Sequence, residues 1–71
     1  MFLIHTQHTR AYEDALDDWR EAADLVSARW QTFVDTEPEG RTFAFAAYTA
    51  ALDAEEAAAE TVSAVVLRAA A

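Results

Sequence analysis

Two histidines and thirteen carboxylates are the side chains of this 71-residue chain best suited to chemistry, and their spacing decides how far that chemistry can go. His5 and His8 stand three apart, so a helix sets both on one face. A metal ion there would need carboxylates converging on the pair, and Glu13 is no obvious inward partner for either histidine. Carboxylate-bridged dimetal bundles draw a Glu from each of two helices and a Glu-x-x-His from each of the others. No Glu-x-x-His occurs here, so the two histidines read as a solvated first turn. Glu55 and Glu56 are adjacent, which on a helix points them about 100° apart and away from a common ligand. Cysteine is absent, which removes thiolate nucleophiles, disulfides and zinc-thiolate sites. One glycine cannot form a phosphate-cradling loop, and no serine or threonine has a histidine at a credible catalytic spacing. These residues assign no catalytic group, no metal and no cofactor, and the expectation is a protein that is not an enzyme.

Charge narrows the partners. Five arginines, no lysine and thirteen acidic residues give a net charge of −8, which leaves no basic patch for nucleic-acid phosphates or an anionic membrane surface. The longest run of large apolar residues, Met1 to Ile4, is far short of the roughly 20 residues of a membrane span and lacks the flanks of a secretory signal. Cytoplasm is the default location for such a cysteine-free chain. The acidic run Glu13, Asp14, Asp17, Asp18, Glu21 and Asp24 reads first as a solvated face. Its sharper alternative is a phosphate-like array that occupies the basic groove of another protein.

The elements that would hold these groups follow from punctuation and period. Proline and glycine occur only in the stretch Asp35 to Gly40, which divides the chain into two halves. In the first, Tyr12, Leu16, Trp19, Ala23, Val26, Trp30 and Phe33 alternate spacings of four and three, a heptad stripe on one helix. In the second, Phe45, Tyr48, Leu52, Glu55, Ala59, Val62, Val66 and Ala69 repeat the spacing. The pattern predicts helix 1 over about 7–34 with Thr6 or Thr9 as N-cap, a turn over about 35–41, and helix 2 over about 42–69. Thr36-x-x-Glu39 is a capping-box alternative for the second start, and Met1 to Ile4 is the one stretch where a frayed strand is conceivable. Two long helices with a short link must lie antiparallel. The fold class is therefore all-α: one helical-hairpin domain over 1–71, expected to assemble as a dimeric four-helix bundle.

Two features argue for assembly. Eighteen of the apolar residues are alanine, leaving twenty larger side chains, and a single core in so short a chain rarely supplies more than ~3–5 kcal/mol. Beside the heptad stripe, helix 2 carries a second apolar seam of Ala44, Ala47, Ala51, Ala54, Ala58 and Val65, expected to meet a copy of the chain or a different protein. Within the heptad stripe Glu55 interrupts the apolar series. Counting from the turn sets it opposite Trp19 and Arg20, so it is expected to be a buried, register-setting group that accepts from the Trp19 indole or pairs with Arg20. The aromatic residues Trp19, Trp30, Phe33, Phe43, Phe45 and Tyr48 supply most of the large apolar surface, five of them near the turn. Phe33, Phe43 and Phe45 cannot all point at one facing helix, which makes the tip a candidate interface.

The outline of two helices and a short turn resembles small hairpin proteins of the WXG type, whose marker is Trp-x-Gly in the turn. Here the turn reads Thr36-Glu37-Pro38-Glu39-Gly40-Arg41, and Trp30 lies inside helix 1 without a glycine two residues on, so nothing is carried over. The functional expectation is a non-catalytic interaction and oligomerisation module, a homodimer with room for a further protein partner. Its rivals are the acidic inhibitor or nucleic-acid mimic and the carboxylate-rich metal bundle.

Overall fold

A computed structural model describes the backbone of residues 2–71 and the side chains of residues 9–71. Helix α1 spans Phe2–Asp35, a single 3-10 turn covers Pro38–Gly40, and helix α2 spans Arg41–Ala70. The helices pack antiparallel along their length, with Trp30 beside Tyr48 near the turn and Trp19 beside Glu55 further down. Helix α1 starts earlier than its sequence signals indicate. It runs through Thr6 and Thr9 without a break, and the backbone of Phe2 to Ile4 is helical where a frayed strand was the alternative. Met1 lies outside the described residues.

The turn is held by local geometry. Glu37 is extended (φ −61°, ψ 154°), as a residue before proline must be, and Pro38 opens the 3-10 turn, where its missing N–H is no loss. The Gly40 N–H donates to the Glu37 carbonyl at 2.9 Å and the Thr36 N–H to the Phe33 carbonyl at 3.3 Å. The Thr36 hydroxyl donates back to the Thr32 carbonyl at the end of α1, so it serves the preceding helix and forms no capping box with Glu39. Gly40 has an ordinary right-handed backbone (φ −98°, ψ −4°). What it supplies is room, because a Cβ there would sit 2.8 Å from the Thr36 Cγ2.

Packing is where the hairpin departs from an ordinary domain. Its extents are 57 × 15 × 11 Å, one layer of two helices. The radius of gyration is 16.4 Å, against about 11 Å for a compact chain of this length. Only Ala15 and Ala51 are buried among the described residues, each 4% exposed, and no large side chain is fully enclosed. Ala51 belongs to the alanine seam expected to face outward. Instead it lies against α1, in line with the half-buried Ala44, Tyr48, Glu55, Ala58 and Val62. The facing line of α1 is Ala15, Trp19, Ala22 and Val26, with Phe33 at the tip. The physical reason is size. Two alanine methyls let the helix backbones approach, and the bulkier heptad residues Tyr12, Trp30, Phe45, Leu52 and Val66 are pushed to the edge, each 36–49% exposed.

Replacing Gly40 by alanine is expected to destabilise the hairpin by about 1 kcal/mol in denaturant titrations, because the new methyl collides with Thr36. Adding Thr36→Ser removes the opposing methyl and should recover most of that loss. An equal loss in both backgrounds would show that the close approach is not what demands glycine.

Candidate functional site

The residues with the best-defined tertiary geometry are Trp19 and Glu55. The Trp19 indole N–H donates to a Glu55 carboxylate oxygen at 2.6 Å across the two helices, thirty-six residues apart in sequence. An indole has one donor and no acceptor, so a carboxylate among apolar neighbours satisfies it with a charge-assisted bond and leaves the second oxygen for water. Both groups are half-buried, so the carboxylate expected to be buried keeps part of its surface in water. Arg20 is not part of the pair. Its guanidinium lies 3.5 Å from Asp17 on the outside of α1, with both side chains about two-thirds or more exposed (66% and 74%). An exposed pair at i,i+3 of this kind contributes little.

Near the turn four rings form a closed circuit. Trp30 stands 5.4 Å from Phe33 and 5.1 Å from Tyr48, and Phe45 stands 5.5 Å from Phe33 and 6.1 Å from Tyr48, all at tilted angles. These are the separations at which aromatic pairs attract beyond their area. Phe43 is outside the circuit. It is 84% exposed, on the other flank of α2, so the tip aromatics expected to act together are divided between two sides.

The two sides of the layer differ in chemistry. One carries Tyr12, Leu16, Ala23 and Trp30 of α1 beside Phe45, Leu52, Ala59 and Val66 of α2, at spacings of four and seven that keep each series on one face. The other carries a shallow groove of about 270 Å³ lined by Leu25 and Arg29 of α1 and by Ala47, Ala50, Ala51 and Ala54 of α2. Ala47 and Ala54 thus keep the exposed position expected of the alanine seam, while Ala51 and Ala58 turn toward α1. Leu25 and Ala50 escaped the sequence reading because neither falls on a heptad position. Ala15 and Ala22 carried a legible signal, two alanines seven apart next to the stripe.

Asp14, Asp17, Asp18 and Glu21 are all exposed on α1. Asp18 and Glu21 join Asp24, Ala22, Leu25 and Ala28 around an open depression on the grooved side. Asp18, Glu21 and Asp24 therefore border the grooved side, and Asp17 pairs with Arg20 on the outside of α1. Among the described residues no three His, Cys, Asp or Glu side chains converge as a metal site, and the side chains of His5 and His8 lie outside those described. No described helix is long and apolar enough to cross a membrane. No protein-family model matches the sequence, and no curated protein or solved structure resembles it significantly.

A double-mutant cycle isolates the interhelical bond. Trp19→Phe and Glu55→Gln should each destabilise the fold, with a coupling of about 1 kcal/mol between them in urea titrations. Strict additivity would mean that the bond adds nothing to stability.

Proposed function

We propose that this chain is an assembly module, a non-catalytic helical hairpin that associates with a second copy of itself into a four-helix bundle and acts by binding. The observation that carries the reading is uncovered surface. The hairpin exposes 5571 Å², whereas a compact monomer of its 7.8 kDa exposes about 4,400 Å². The excess, about 1,200 Å², exceeds the ~800 Å² that each partner gives to a standard protein interface. It includes partly exposed Trp30, Phe45, Leu52 and Val66 along one side, an apolar stretch larger than scattered surface residues would make. A second layer of the same kind would convert that surface into a core.

The acidic residues support solubility and selection of the binding side, since every copy carries −8 and like surfaces repel. That charge also separates this reading from the acidic-mimic alternative. Self-association of like-charged copies strengthens as salt screens the repulsion, whereas capture of a basic partner weakens with salt.

Light scattering coupled to size exclusion, run over a tenfold dilution at low and high salt, tests the reading. A molar mass of twice 7.8 kDa, held to lower concentration at high salt, is the expected result. A folded species at 7.8 kDa throughout would contradict it.

A further inference from the structure

We draw no further inference here: the strongest candidate, the shallow groove between α1 and α2 lined by Leu25, Arg29 and four alanines and continued by the depression beside Asp18 and Glu21, is a stripe of small residues next to an acidic cluster, and nothing in the structure shows what covers it.

Discussion

A single layer of two helices can cover only one face of each, and everything unusual about this protein descends from that constraint. Hydrophobic stabilisation scales with area removed from water, and here two alanines are the only described residues that lose nearly all of it. Helix propensity is high in α2, where alanine is by far the commonest residue, so that helix is locally consistent with its sequence. Local consistency makes helices form. Burial of large side chains is a separate term, and here those side chains sit at the edge of a layer 57 Å long.

Within that layer, Trp19 and Glu55 supply the directional element. Alanine-on-alanine contacts specify distance but hardly register, because a slide of one heptad replaces one methyl by another. A bond at 2.6 Å between groups on different helices penalises such a slide by stranding an indole donor and a carboxylate together. The ring circuit at the turn adds a second fixed point, so the register is set at the tip and again near the middle. The alanines between them then determine how near the backbones come.

Much of this was legible in the sequence. The turn residues marked the division, the four-three spacings marked both helices, and counting from the turn set the glutamate of the apolar series opposite Trp19 and Arg20, of which Trp19 is its partner. Two things were not legible. The rotational setting of α2 differs from the one its heptad pattern indicates, since Leu52 and Phe45 weigh more than Ala51 and Ala44 in any hydrophobic reading, while close packing rewards the smaller residues. The start of α1 lies before Thr6 and Thr9, which resemble caps, because a residue that can cap a helix is also tolerated inside one. The candidate site shifted accordingly. The alanine seam divided between the hairpin's own contact and the groove, and Trp30, Phe45, Leu52 and Val66 are left partly exposed along the other side.

As proposed, the hairpin is half of a core. The most direct measurement is the thermal unfolding midpoint followed by far-UV circular dichroism over a hundredfold range of protein concentration. If folding and association are one event, mass action raises the midpoint steadily with concentration. A midpoint independent of concentration, with a cooperative transition at every dilution, would contradict it, because the single layer would then be stable alone.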